Sequence, residues 1–283
     1  MPIQSPSRTR ATVARTLPEL RAALAGRDDV ALVPTMGALH DGHRALLRAA
    51  RSSAATVVMS LFVNPAQFGP GEDFARYPRD EASDVAIAGE EGADVVFAPD
   101  VATIYPDGFA TAVDPGPLAD ELEGGARPGH FRGVATVVTR LFGLVRPQRA
   151  FFGQKDFQQL VIVRGVSRDL ALGVDVAGVP TVRDPDGLAL SSRNRYLSAG
   201  ERAGATSLFA GLRAARALYA AGERDAGLLR EAAAAELALE PEYLELRRCD
   251  DLGAYDPAQP AILLVAAFAG TTRLIDNAVL EDA

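Results

Sequence analysis

Two of the three histidines lie in one tetrapeptide, His40-Asp41-Gly42-His43, after the apolar run Val30 to Pro34 and ahead of the helical pattern RALLRAARSSA. Two imidazoles flanking a glycine at the mouth of a helix are suited to holding an anion. A helix N-terminus offers free N–H groups and partial positive charge to phosphate, and Gly42 lets the backbone approach a ligand closely. The ring N–H groups can donate to oxygens as charge builds on a leaving group. A zinc site is the competing chemistry, but it ordinarily takes a third protein ligand, and its helical histidines are spaced i, i+4 rather than i, i+3. A helix start with no ligand is the third reading.

The basic residues supply a second cue: 28 of 29 are arginine, and Lys155 is the sole lysine. Arginine replaces lysine on most surfaces, so a lone lysine points to a place where a compact ammonium is needed, with chance survival as the alternative. It stands in Phe151-Phe152-Gly153-Gln154-Lys155-Asp156, where a buried strand ends at glycine and delivers the ammonium to the start of a helix. A third constellation, Leu190-Ser191-Ser192-Arg193-Asn194-Arg195, combines two hydroxyls and two guanidiniums in a turn-rich stretch. It is able to close over a triphosphate as a mobile lid, or is a Ser/Arg turn with no ligand. Gln67 and Gln159 read in isolation as solvated amides, although Asn64-Pro65 puts Gln67 at a sheet edge, and His130 reads as a packed or capped histidine. Neither G-x-x-x-x-G-K-[ST] nor G-x-G-x-x-G is present, which excludes a P-loop and a dinucleotide fingerprint.

Strands must alternate with helices to position these residues. Val30 to Pro34, Thr56 to Val63, Asp94 to Phe97, Ala150 to Phe152 and Val174 to Val182 read as strands. Helical stretches separate them near Arg44 to Ala54, Glu81 to Glu91, Val134 to Val145 and Phe157 to Leu170. This grammar predicts an α/β fold with a Rossmann-like doubly wound parallel sheet, its ligands at the carboxyl edge. Past Arg183 the pattern changes to a polar turn-rich stretch, alanine-rich helices over Ala199 to Leu239 and strands near Tyr243 to Arg247, Ile262 to Phe268 and Arg273 to Leu280. Two domains are expected: residues 1–183 binding the nucleotide, and 184–283 forming a smaller α+β lid domain.

At 283 residues the chain is long enough for two cores. A net charge of −8 argues against a large nucleic-acid footprint, and the lone Cys249 excludes an intrachain disulfide and a thiolate-rich metal site. The longest apolar run, Ala261 to Ala269, is too short to cross a bilayer, and the first sixteen residues contain no apolar signal core, so a cytoplasmic location is expected.

Val33-Pro34-Thr35-Met36-Gly37-Ala38-Leu39-His40-Asp41-Gly42-His43 resembles the opening motif of the pantothenate synthetase family, within the HxGH nucleotidylyltransferase superfamily. The resemblance continues in order and spacing through Phe62 to Phe68, Tyr77-Pro78-Arg79, Arg127 to Phe131, Phe151 to Leu160, Ser191 to Leu197 and Tyr243 to Leu246. It implies an ATP-dependent ligase that activates pantoate as an acyl-adenylate and joins it to β-alanine. On that resemblance Pro34, Met36, Gly37, Ala38, Leu39, His40, Asp41, Gly42 and His43 line ATP, with His43 catalytic and His40 its phosphate-binding companion. Gly153, Gln154, Lys155, Asp156, Val182, Leu190, Ser191, Ser192 and Arg193 complete the nucleotide site, with Lys155 counted as catalytic and Arg127 and His130 beside it. Gln67 and Gln159 bind pantoate, Gln67 also serves β-alanine, and Asp84 helps hold Mg²⁺. A homodimer is implied as well. Gln154 stands where many relatives carry glutamate, and Leu190 where many carry methionine. Two other readings stay open: a nucleotidylyltransferase acting on a phosphate monoester, and a regulator that holds ATP without turning it over.

Overall fold

The computed structural model describes residues 11–282, so the first ten residues of the stretch read for a signal core lie outside the described residues. No described helix is long and apolar enough to cross a membrane. The chain forms two units, one made of residues up to 153 together with 162–179, the other of 154–161 together with 180 onward.

In the first unit the apolar runs become a six-stranded sheet: β1 (Thr12–Ala14), β2 (Val30–Thr35), β3 (Thr56–Leu61), β4 (Val95–Phe97), β5 (Arg149–Gly153) and β6 (Asp175–Val179). The strand order is β1-β4-β3-β2-β5-β6 and every neighbouring pair is parallel. Side chains alternate across each strand, and both alternating sets are buried. Ala31, Val33, Val57 and Met59 pack with Leu46, Leu47, Val85 and Ala88 of the helices Asp41–Ser53 and Glu81–Glu90, while Leu32, Val58 and Val95 are equally buried on the other face. Continuous apolar strands are what a sheet covered on both sides requires. From β2 the chain steps outward through β3 to β4, then returns to the other side of β2 for β5 and β6. The order therefore reverses between β2 and β5, and ligands of open parallel sheets bind at the carboxyl ends of the strands where this happens.

Three local details differ from the sequence expectation. Strand β6 stops at Val179 because Pro180 has no N–H for the ladder. The helix expected from Val134 starts at His130, directly after Gly129 at φ 82°. And β1, with the helix Leu17–Leu24, adds an edge that the strand pattern did not reveal.

The second unit has a three-stranded antiparallel sheet in the order β7 (Pro241–Arg248), β8 (Ala261–Ala269), β9 (Thr272–Leu280). Leu263, Val265 and Leu274 pack against Leu208, Leu212 and Leu229 from the helices Ser207–Ala220 and Ala226–Ala234. The tight turn Gln154–Asp156 belongs to this unit and packs on β9. The expected α/β class, a parallel sheet with a smaller α+β part, is the architecture observed.

Candidate active site

The loop after β2 carries the first constellation. Gly37 sits at φ 89° and Ala38 at φ 54°, so two consecutive residues take the left-handed conformation before His40 begins the helix. A side chain on Gly37 would come within 2.8 Å of an Asp84 oxygen and 2.9 Å of Leu61, so this position needs glycine for space as well as for φ. Asp84 is 2% exposed, and its two carboxylate oxygens accept the backbone N–H groups of Ala38 at 2.9 Å and Leu39 at 2.8 Å. A non-glycine residue at positive φ is held only where its surroundings over-determine it, and here the carboxylate does so.

His40 is the N-cap of the helix Asp41–Ser53, and the two histidines take the parts that serine and glutamate play in an ordinary capping box. The His40 Nδ1 accepts from Gly42 N–H at 3.1 Å, and the His43 Nδ1 accepts from His40 N–H at 3.3 Å. The ring centroids are 4.2 Å apart. An Nδ1 that accepts from an amide carries no proton, so each neutral ring bears its proton on Nε2. The loop thus orients two Nε2–H donors at a helix N-terminus, which is the equipment for binding and stabilising phosphate oxygens.

Gln67 belongs to the same unit. It is 8% exposed, and its carboxamide is held in one sense: Asn64 Nδ2 donates to Gln67 Oε1 at 3.0 Å, and Gln67 Nε2 donates to Met36 Sδ at 3.4 Å. Asn64 is fixed in turn, accepting from Tyr105 O–H at 2.8 Å and donating to the Gly133 carbonyl at 3.2 Å. Gly133 is what lets the helix His130–Val145 lie against this turn, because a Cβ there would overlap the Ala66 carbonyl. With Oε1 engaged by Asn64, Gln67 presents its NH₂ side, a donor suited to a carboxylate or hydroxyl oxygen.

His130 and Arg127 support Gln67 from behind. His130 Nδ1–H donates to the Gln67 carbonyl at 2.8 Å, which leaves Nε2 to accept from Arg127 at 3.3 Å. Burial, reinforced by the Arg127 charge, pushes this imidazole below its ordinary range, so the ring is neutral. Burial would raise the Glu72 carboxyl, but Arg127, donating to both its oxygens at 2.9 and 2.6 Å, holds it below the usual value. The resemblance implied a place beside the nucleotide for Arg127 and His130; in the structure both brace the Gln67 backbone.

Asp84 is the residue for which the resemblance implied a share in holding Mg²⁺. Both its oxygens are engaged by backbone amides, and among the described residues no cluster of three or more His, Cys, Asp or Glu is arranged for a metal ion.

In the second unit, Lys155 and Gln154 form the tight turn that opens the helix Phe157–Asp169, with Lys155 Nζ 3.5 Å from Asp156. Gln159 lies half-buried one turn further along. Val182 and Leu190 face each other across a hairpin, the Leu190 N–H donating to the Val182 carbonyl at 2.9 Å. Ser191 caps the following turn Ser192–Tyr196 by accepting from Arg193 N–H at 3.2 Å. The hairpin is anchored by Arg183, which donates to both oxygens of the buried Asp276 at 2.6 and 2.9 Å and stacks 3.9 Å over the Phe209 ring. The Asn277 carboxamide donates to the carbonyls of Gln154 at 2.9 Å and Lys155 at 2.8 Å.

Sequence reasoning did not assign Asn64, Tyr105, Glu72, Asp276 or Asn277 to the site. An Asn-Pro step after a buried strand is a recognisable cap and could have marked Asn64. The others carry no local signal.

Comparison with known proteins identifies the family. A family model described as pantoate-beta-alanine ligase matches residues 8–279. The pantothenate synthetase of Roseiflexus sp. (strain RS-1) is 51% identical over 275 residues, covering 95% of this chain and 99% of the relative. A crystal structure of pantothenate synthetase from Thermus thermophilus superposes with a TM-score of 0.90 at 48% identity, over 95% of this chain and 99% of that one. A pantoate-beta-alanine ligase from Francisella tularensis, complexed with beta-gamma ATP and beta-alanine, does so with a TM-score of 0.79 at 30% identity, over 96% and 99%.

Proposed function

The chain belongs to the pantoate–β-alanine ligase family, and from that premise we propose that it condenses pantoate with β-alanine, coupled to cleavage of ATP, by way of a pantoyl adenylate. The observation that carries the reading is the histidine pair. Two imidazoles locked by their Nδ1 atoms into a helix N-terminus, with their protons on Nε2, suit attack at an α-phosphorus.

In the first step a pantoate carboxylate oxygen bonds to the α-phosphorus of ATP, and the bond to the bridging oxygen breaks with departure of pyrophosphate. His43 and His40 stabilise the charge that develops on the phosphates, together with Lys155, Ser191, Ser192 and Arg193. Gln67 and Gln159 donate to pantoate. In the second step the neutral β-alanine amine attacks the acyl carbon, AMP leaves with the electron pair of its bond, and the amine proton passes to solvent. Positioning and charge suffice, and no covalent enzyme intermediate is needed. The remaining nucleotide residues of the reading are Pro34, Met36 to Asp41, Gly42, Gly153, Gln154, Asp156, Val182 and Leu190, and the motif resemblance supports them. The same resemblance supports a homodimer and Mg·ATP as the substrate form, and a cytoplasmic location belongs to the same proposal.

Incubation with ATP, pantoate and β-alanine, followed by product analysis, tests the proposal. AMP and pyrophosphate released in equal amounts, and only when both co-substrates are present, is the expected result. A dinucleotide product without AMP would make the chain a nucleotidylyltransferase. Unchanged ATP would make it a regulator.

A further inference from the structure

Asn277 lies on β9 at the register position opposite Leu264, 7% exposed, between the strand ladder and the turn that carries the chain's sole lysine. Its one NH₂ group donates to two consecutive carbonyls, Gln154 at 2.9 Å and Lys155 at 2.8 Å. Carbonyls only accept, so no other orientation of the carboxamide satisfies them. The neighbouring Asp276, on the opposite face of the strand as the two-residue period requires, holds Arg183 at the base of the Val182–Leu190 hairpin and also accepts the Asn277 N–H at 2.8 Å. One dipeptide therefore anchors both segments of this unit that the nucleotide reading employs.

We propose that Asn277 is a positioning residue for the ligation: it fixes the Gln154–Lys155 turn and thereby the place from which the Lys155 ammonium acts on ATP. This rests on the role proposed above for Lys155. Asn277 touches neither substrate nor phosphate in this account. It acts through the backbone of another residue, and a misplaced catalytic group loses rate steeply with distance.

The unusual composition supplies a direct probe, because ¹⁵N-lysine labelling of the whole protein yields a single backbone amide signal, that of Lys155. Asn277→Ala removes both hydrogen bonds, whereas Asn277→Asp keeps the size of the side chain and turns a carboxylate against two carbonyls. The expected result is a displaced Lys155 amide signal in both variants, with kcat for pantoate-dependent pyrophosphate release lowered about tenfold or more in N277A and further in N277D. Acidification should return part of the N277D loss, since a protonated carboxyl can donate one of the missing bonds, and should not do so for N277A. Wild-type kcat with an unmoved amide signal in N277A would overturn the proposal. So would N277D milder than N277A, the order expected of a purely space-filling side chain. Failure of N277A to fold would count against it too, by making the residue a fold determinant. Lys155→Ala separates the two levels of inference: full turnover in K155A removes the assumed role of the lysine, whereas an inactive K155A beside a fully active N277A removes only the role of Asn277.

Discussion

Asparagine at position 84 keeps the side chain's shape and deletes one acceptor, which makes D84N the sharpest test of how the histidine loop is held. In the native loop one carboxylate serves two amides, at 2.9 and 2.8 Å, at a site 2% exposed. An asparagine oxygen can satisfy one of them, and its NH₂ then faces the other. A buried amide left without an acceptor costs about 1–3 kcal/mol, and the surviving bond, no longer charge-assisted, loses roughly half its strength. A total near 3 kcal/mol corresponds to a drop in Tm of about 5 °C for a chain of this size. Because the strained Gly37–Ala38 step is what delivers His40 to the helix start, kcat should fall by about 10²-fold as well. Thermal unfolding in metal-free, nucleotide-free buffer measures the first effect, and AMP formation at saturating substrates the second. An unchanged Tm combined with a raised Mg²⁺ requirement would refute the reasoning and make Asp84 a metal ligand.

Replacing His43 or Lys155 by alanine should lower turnover by orders of magnitude while leaving the circular dichroism spectrum and Tm close to wild type; steady-state AMP assays at wild-type rate would remove that residue from the mechanism. Stability should fall with acidification around His130. Its folded-state pKa lies below the ordinary 6.5, so the contribution of the neutral ring is complete above about pH 6.5 and is lost progressively below it. A Tm series between pH 5 and 8 should show that slope in the wild type and a flatter one in His130→Gln. Gly133→Ala forces a methyl group into the Ala66 carbonyl, and soluble protein with wild-type Tm would contradict the close approach of helix and turn described here.

The parallel sheet was legible because its strands are buried on both faces and read as unbroken apolar runs, VALVP and TVVMSLFV among them. Strand β1 was not: three residues at a sheet edge, paired only with β4, carry too little pattern to stand out, although Thr16 and Glu19 spell the capping box of the helix that follows. His40 and His43 could be found because they are close in sequence and rare in type. Asn277 could not, since its partners are more than a hundred residues away and an asparagine in a strand has no signature of its own. Asp84 shows the same limit in another form. The resemblance singled it out for Mg²⁺, but its two amide partners appear only when the helix Glu81–Glu90 is folded against the β2 loop.

The contact between Asn277 and the Lys155 carbonyl spans 122 residues, and proteins are made from one end. At about 5–20 residues per second, a ribosome extrudes the lysine turn roughly 6–24 s before the strand that grips it exists. A nascent or prematurely terminated chain can therefore display every motif from His40 to Arg193 while its ammonium still wanders, and competence arrives only once β9 has been translated.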